Sequence, residues 1–177
     1  MVIAKVISYA ALGAALLVAT PAAAQTLPRV WLPGYRDPVA FDTLGNRQVV
    51  QAAPGAVYGA AAAVLEKAGI DITYRDSLRG VVGNPAVEKR RRIAKSPLSR
   101  FLNCGTGFSG PNADSWGVTM AVLVSARASD GGTALRVGVA AGARDLSGPS
   151  KDPVTCGSTG ALEELIAMEI RRQLPAQ

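Results

Sequence analysis

The sequence predicts an α+β fold, in which one antiparallel β-sheet of four to five strands packs an alanine-rich helix and a C-terminal helix on one face. Three observations predict it: an alternating hairpin between residues 116 and 142, an alanine-rich run after Pro54, and an amphipathic stretch that ends at Pro175. The expected order is β-α-β-β-β-β-α. Strands that are not separated by regular helical crossovers favour an antiparallel sheet over a parallel one.

The alanine-rich helix is predicted to follow a short strand over residues 47–51. Pro54 fits its first turn, because the N–H that proline lacks has no helical partner there. The helix is expected to run to Ala68, and Gly69 is placed to end it in the left-handed conformation. At helical spacing one face is apolar and is predicted to be buried, namely Val57, Ala61, Val64 and Leu65.

Two further strands are predicted after this helix. Residues 70–75 alternate strictly between apolar and polar side chains, as a half-buried strand requires. Residues 78–82 are expected to return as a second strand, which the tripeptide at 83–85 ends. The stretch 86–101 is strongly basic and is expected to be helical in part.

The clearest element is a hairpin around Asp130-Gly131-Gly132, a tripeptide typical of tight turns. Apolar side chains alternate on one face of its two strands, at Trp116, Val118, Met120, Val122, Val124, Leu135, Val137 and Val139. The other face carries small residues at Gly117, Ala121, Gly138, Ala140 and Gly142. Either another backbone approaches this second face closely, or it is a thinly covered outer face.

A final helix is predicted to follow a loop over residues 145–152. Ser158 or Thr159 is placed to cap it. Acidic residues near its start and basic residues near its end suit the helix dipole, and Pro175 ends it. The apolar stripe predicted to face the sheet is Leu162, Leu165, Ile166, Ile170 and Leu174.

The order of these elements resembles the helix-grip domains of the BamC-type accessory lipoproteins of the outer-membrane β-barrel assembly machinery. The resemblance rests on element order. The segments that carry it are Gln48–Gln51, the alanine-rich helix, Ile70–Val82, the hairpin around Asp130-Gly131 and the helix Leu162–Leu174. It implies a helix-grip fold and a place in the cell envelope.

Residues 1–24 have the pattern of a cleavable secretory signal peptide. Lys5 precedes an apolar run, and Ala22-x-Ala24 matches the small-residue pattern of signal peptidase sites. The run is shorter than the roughly 20 residues that a membrane span needs, which disfavours the alternative of an uncleaved anchor. We therefore expect an exported protein, periplasmic or secreted, whose mature chain starts at Gln25 and has no transmembrane span.

Residues 25–45 are predicted to form a proline-rich arm, and residues 46–177 a single domain. Proline keeps the backbone of the arm extended and removes hydrogen-bond donors. The arm also carries the aromatic residues Trp31, Tyr35 and Phe41. Either these aromatics lie against the domain, which we favour, or the arm docks onto a partner.

Cys104 and Cys156 are predicted to form a disulfide bond, because a cysteine pair in an exported chain is most simply bonded. Their Cα atoms are then expected to lie about 4.4–6.8 Å apart. The alternative is a reactive thiol nucleophile. That chemistry usually needs a histidine base, and the chain contains no histidine.

No catalytic, cofactor or metal signature stands out in the sequence, and we expect no cofactor and no metal site. Residues 105–110 spell G-x-G-x-x-G, but a strand is expected to follow, which favours a structural turn over a nucleotide site. The lack of histidine excludes Ser-His-Asp catalysis. A Ser–Lys dyad stays open at Ser150-Lys151 or Lys95-Ser96. The alternative function is therefore a hydrolase-like periplasmic enzyme, with a site between the sheet and residues 86–115.

The basic run between residues 89 and 100 is the best remaining candidate site. The net charge of the chain is +6. The cations in this run are Lys89, Arg90, Arg91, Arg92, Lys95 and Arg100. Such a cluster suits anionic lipid or lipopolysaccharide phosphate, whereas the scarcity of aromatic residues for stacking disfavours nucleic acid. The alternative is a solvated surface that aids solubility. The sequence thus predicts a non-enzymatic exported envelope protein that binds a protein partner or an anionic surface.

Overall fold

A computed structural model describes residues 28–41, 44–147 and 152–175, so the predicted signal peptide lies outside the described residues. The main sheet contains β1 (Arg47–Val50), β2 (Tyr74–Asp76), β3 (Val81–Lys89), β4 (Leu102–Asn103), β5 (Gly117–Ser129), β6 (Gly132–Arg144) and β7 (Val154–Ser158). Two helices accompany the sheet, α1 (Pro54–Lys67) and α2 (Ala161–Gln173). Within these ranges no helix is long and apolar enough to cross a membrane.

The remaining regular elements are short. Three two-residue strand pairs join Arg29–Val30 to Val39–Ala40, Arg92–Ile93 to Ser96–Pro97, and Thr106–Gly107 to Gly110–Pro111. A 3-10 turn covers Leu98–Arg100, and one helical turn covers Asn112–Ser115.

Six of the seven strands of the sheet pair antiparallel in the order β2-β3-β5-β6-β7-β4, and the seventh, β1, pairs with β6 beside this path. β1 shares one edge of β6 with β7: it pairs with residues 133–136, whereas β7 pairs with residues 141–143. β6 is 13 residues long, so one edge accommodates both. The predicted α+β class is confirmed. The sheet has seven strands instead of the expected four to five, because strands as short as β4 leave no detectable alternation in the sequence.

The predicted alanine-rich helix is confirmed, and its end shows why the sequence stops there. Gly69 has a φ of +76°, and its N–H donates to the carbonyl of Glu66 at 2.9 Å. The N–H of Ile70 donates to the carbonyl of Leu65, also at 2.9 Å. These two bonds form a Schellman motif, in which Leu65 and Ile70 are both buried. The helix therefore ends with its last carbonyl groups satisfied.

β3 corrects the prediction for the region after α1. The strand expected over residues 70–75 is confined to β2, and β3 runs through the tripeptide Gly83-Asn84-Pro85 instead of ending there. The register against β5 shifts between Met120 and Val122, and a bulge tolerates a proline that has no N–H for the ladder. Asn84 holds this bulge, since its side chain donates to the carbonyl of Asp71 and accepts from the N–H of Ala86.

Helix α2 begins differently from the prediction. Its N-cap is Gly160, with a φ of +82° and no side-chain cap, so the expectation that Ser158 or Thr159 caps the helix is wrong. Ser158 still belongs to β7, and its hydroxyl lies 2.6 Å from the carboxylate of Glu163. The side chain of Thr159 donates to the carbonyl of Arg100 at 2.9 Å. The apolar stripe is buried at Leu162, Ile166 and Ile170 and partly buried at Leu165 and Leu174.

The two helices cover one face of the sheet, and the arm covers the other. The predicted apolar face of the hairpin packs with α1 and α2 in the main core. The arm forms a second buried cluster with the opposite face, composed of Val30, Leu32, Phe41, Val81, Ala121, Leu123 and Ala140. The small residues of that face permit this packing, because a Cβ on Gly142 would collide with the backbone of Pro33 and a Cβ on Gly138 would lie 2.9 Å from the ring of Phe41. The close-approach interpretation is therefore confirmed, although Trp31 of the arm stays exposed.

Cys104 and Cys156 form the predicted disulfide bond, and both side chains are buried. β4 and β7 pair Asn103 with Gly157, so the cysteines are the next opposed positions of the same antiparallel pair. Their Cα atoms are 4.2 Å apart, slightly less than the expected range of about 4.4–6.8 Å. The reason is that directly opposed residues of antiparallel strands approach to about 4.5 Å.

Candidate anion-binding site

The basic run forms two tight turns at one end of the sheet, and the partly helical structure expected within residues 86–101 is limited to one 3-10 turn. Lys89 ends β3, and the chain then turns so that the N–H of Arg92 donates to the carbonyl of Arg90 at 2.7 Å. Residues 92–97 form a small hairpin. The only helical part is the 3-10 turn that ends at Arg100. We call this stretch, residues 89–100, the basic segment. Two residues connect each pair of successive strands here, which is too few for a helix, so each connection is a tight turn.

The backbone of the basic segment is strained in a way seen nowhere else in the described residues. Arg91, Ala94 and Lys95 have φ values of +64°, +47° and +64°, and they are the only described residues other than glycine with a positive φ. Ten glycines take that conformation elsewhere in the described ranges. For a residue with a Cβ it costs about 1–2 kcal/mol. The chain thus carries two long cations at positions where glycine would fit more easily.

The cations of the basic segment project into solvent. Lys89 is half-buried, whereas Arg90, Arg91, Arg92, Lys95 and Arg100 are exposed. The four ion pairs between described residues all lie elsewhere, at Arg75–Glu66, Arg79–Asp76, Arg171–Glu164 and Arg172–Glu169. Among the cations of the segment, Arg100 alone has a side-chain hydrogen bond between described residues, a 3.4 Å contact with the hydroxyl of Ser96. The other cations are therefore available to an external anion.

A groove of about 530 Å³ lies beside the basic segment, where three strands of the sheet come to an end. β5 lies between β3 and β6, and its first residues form the floor: Val118 lies opposite Lys89, and Gly117 lies opposite Arg144. The lining residues are Pro33, Glu88, Lys89, Arg90, Gly117, Val118, Thr119, Arg144 and Leu146. Arg90 stands on the β3 side and Arg144 on the β6 side, so a cation lines each wall. Lys89 lies opposite Val118, whose side chain is buried on the helix side of the sheet, so its own side chain is directed toward that other face.

Arg144 is the residue of this site that the sequence analysis missed. It lies far from the basic run along the chain, and antiparallel pairing of β6 with β5 brings it to the same end of the sheet. It is exposed and has no ion pair among the described residues. The register of the hairpin around Asp130-Gly131 could have predicted this position, since it places Gly117 opposite Arg144.

The apolar end of the groove, formed by Leu146, lies against a glycine. A Cβ added to Gly117 would lie 2.8 Å from Cδ1 of Leu146. Leu146 therefore lies against the bare backbone of Gly117, and a side chain at residue 117 would displace its methyl group. Its own side chain remains 55% exposed, and Pro33 of the arm lines the groove as well. The groove thus combines cationic walls with an exposed aliphatic group.

The other motifs carry less chemistry. The G-x-G-x-x-G stretch forms a small hairpin whose two strands are Thr106–Gly107 and Gly110–Pro111. Phe108 is fully exposed at its tip. Ser96 accepts a bond from Arg100, and Lys95 lines a separate cleft between α1 and α2. Ser150-Lys151 lies outside the described residues. Among the described residues, no group of three or more histidine, cysteine or acidic side chains could hold a metal ion.

Comparison with known proteins identifies no family for this chain. No protein-family model matches the sequence, and no curated protein matches it significantly. The similarity in element order to the helix-grip domains therefore stays a prediction.

Proposed function

We propose that this protein is exported to the cell envelope and binds an anionic surface through its basic segment. The observation that carries the proposal is the set of unpaired, exposed cations on strained turns. Backbone strain of this kind clusters at functional sites. A surface that served solubility alone gains nothing from Arg91 and Lys95 at positions where glycine costs less.

The proposal that the protein is exported is supported by the Cys104–Cys156 disulfide, since such bonds persist in oxidising compartments. It also rests on the signal-peptide pattern of residues 1–24. Mass spectrometry of the protein from the envelope fraction should show a mature chain that starts at Gln25. A membrane-bound species that retains Met1 would contradict the export proposal.

An anionic lipid surface fits the basic segment better than nucleic acid does. Phe101, the aromatic residue that directly follows the basic segment, is 1% exposed and cannot stack on a base. A lipid surface requires only cations that reach it. Each lysine or arginine close to an anionic membrane contributes about 1 kcal/mol, so several exposed cations together give useful affinity.

The proposal is tested by binding to vesicles of anionic phospholipid in a neutral carrier lipid. Replacing Arg90, Arg91 and Arg92 by serine should weaken binding roughly 100-fold, at about 1 kcal/mol per charge, and should flatten its dependence on salt. The matched control replaces Arg29, Arg36 and Arg47, which are exposed cations outside the segment. Equal losses in both triple variants would show that net charge alone drives binding and would overturn the proposal.

A further inference from the structure

We propose that the groove between the ends of β3 and β6 binds the phosphate monoester headgroup of an anionic lipid, with Arg90 and Arg144 as its principal ligands. This inference rests on the proposed function and assigns it a defined site and ligand class. It extends that site beyond the basic segment to a residue of another strand.

The positions of the cations favour one anionic group held between them. The backbones of β3 and β6 are separated by one intervening strand, which places them roughly 10 Å apart. Arg90 and Arg144 line the groove from its two sides. Arginine presents a planar fork of donors that matches a phosphate group. A phosphate over Gly117 can therefore accept bonds from both walls.

The remaining lining residues indicate the charge of the phosphate group and the kind of chemical group that lies next to it in the ligand. Glu88 is the one carboxylate on the groove, and it lies opposite Thr119 on the face that carries Gly117 and Arg144. Arg90 and Arg144 together match the double negative charge of a phosphate monoester, whereas a diester carries a single charge. Leu146 is exposed at the end of the groove and contacts the floor at Gly117. An exposed leucine beside a cationic site favours a ligand that has an apolar part next to its phosphate.

The groove also has a suitable size. Its volume of about 530 Å³ falls within the range of roughly 300–1,000 Å³ for small-molecule sites. A lipid headgroup with the first carbons of its chains fits this space, whereas the rest of the chains would remain in the bilayer. The basic segment beside the groove would lie on the same membrane surface.

The test titrates the purified protein with dihexanoyl phosphatidic acid below its micellar concentration, and with inorganic phosphate. Wild type should bind the lipid in a saturable one-to-one manner and more tightly than phosphate. Arg144→Ser and Arg90→Ser should each weaken lipid binding tenfold or more, as expected for loss of a charge-assisted bond. The charge-matched control Arg29→Ser should change it less than twofold. Leu146→Ser should weaken binding of the lipid but not of inorganic phosphate.

Each contrary result has a separate meaning. If Arg29→Ser weakens lipid binding as much as Arg144→Ser does, the groove is not the binding site. That result would not contradict the binding of vesicles by the basic segment. If the protein binds phosphate and lipid with equal affinity, and Leu146→Ser has no effect, the ligand is not a lipid and the groove is a site for inorganic phosphate. Failure of wild type to bind anionic vesicles would overturn the proposed function itself. Thermal melting of each variant shows that the substitutions leave the fold intact.

Discussion

The carbonyl oxygen of Pro33 lies so close to Gly142 that a Cβ on residue 142 would be 1.9 Å from it. This contact joins the proline-rich arm to β6, on the face of the sheet opposite the helices. The arm is therefore a third layer of the fold, and the glycine is required by the approach of another backbone rather than by its own conformation.

The substitution Gly142→Ala should accordingly destabilise the protein, by about 1–3 kcal/mol or more, because the arm must move away from the sheet. Gly59→Ala is the matched control. Gly59 lies in α1 with no atom within 4 Å of an added Cβ, and alanine there should stabilise the helix by about 0.5–1 kcal/mol. Chemical denaturation measures both changes. Equal stability of the two variants would show that the arm does not pack as described.

The disulfide should matter for stability and not for binding. Removing it with Cys104→Ala and Cys156→Ala together should lower the free energy of unfolding by about 2–5 kcal/mol, because the bond closes a long loop in the unfolded chain. Binding to anionic vesicles by the folded double variant should be unchanged, since the basic segment does not include either cysteine. Thiol titration of the wild-type protein checks the premise, and two free thiols in folded material would contradict it.

Stability should fall at alkaline pH through Tyr35. Burial in the arm layer raises the pKa of Tyr35 above its ordinary value, although a hydrogen bond with the backbone of Ala141 opposes this. A raised folded-state pKa means that the contribution of Tyr35 is fully present below about pH 10 and is lost as the pH rises past it. Tyr35→Phe should therefore lose less stability than wild type between pH 9 and 11. Identical losses in denaturation experiments would exclude this cause.

The two strained cations provide a variant that removes charge without disturbing the fold. Arg91→Gly with Lys95→Gly should leave stability unchanged or raise it by up to about 1 kcal/mol, because glycine adopts positive φ freely. Binding to anionic vesicles should nevertheless weaken roughly 30-fold, at about 1 kcal/mol per charge. Ala94→Gly is the control, since it relieves similar strain but removes no charge. Unchanged binding by the double variant would argue that these cations do not meet the ligand.

Much of the fold could be predicted from the sequence, because local signals agree with the tertiary packing there. Helix α1 has a proline at its start and Gly69 beyond its end, and the hairpin has a turn tripeptide between alternating strands. The disulfide followed from the number of cysteines and the lack of histidine. In each case the signal lies within the element or in the composition, so no long-range information was needed.

The failures have a common physical origin in contacts between distant parts of the chain. Pro85 looks like the end of a strand, but a bulge opposite β5 tolerates it. The basic run resembles a helix in composition, yet pairing in a small hairpin determines its structure. Arg144 reaches the site only through the register of β5 and β6. None of these contacts leaves a periodic pattern in the local sequence.

Amide chemical-shift mapping with bicelles that contain anionic lipid tests the central claim most directly, because it shows which surface meets the lipid. The account predicts shifts in the basic segment, residues 89–100, and at Gly117, Arg144 and Leu146 around the groove, with α2 unaffected. Bicelles of neutral lipid should produce none of these shifts. Changes confined to the exposed hairpin tip at Phe108 or to the arm, with the basic segment unaffected, would contradict the account.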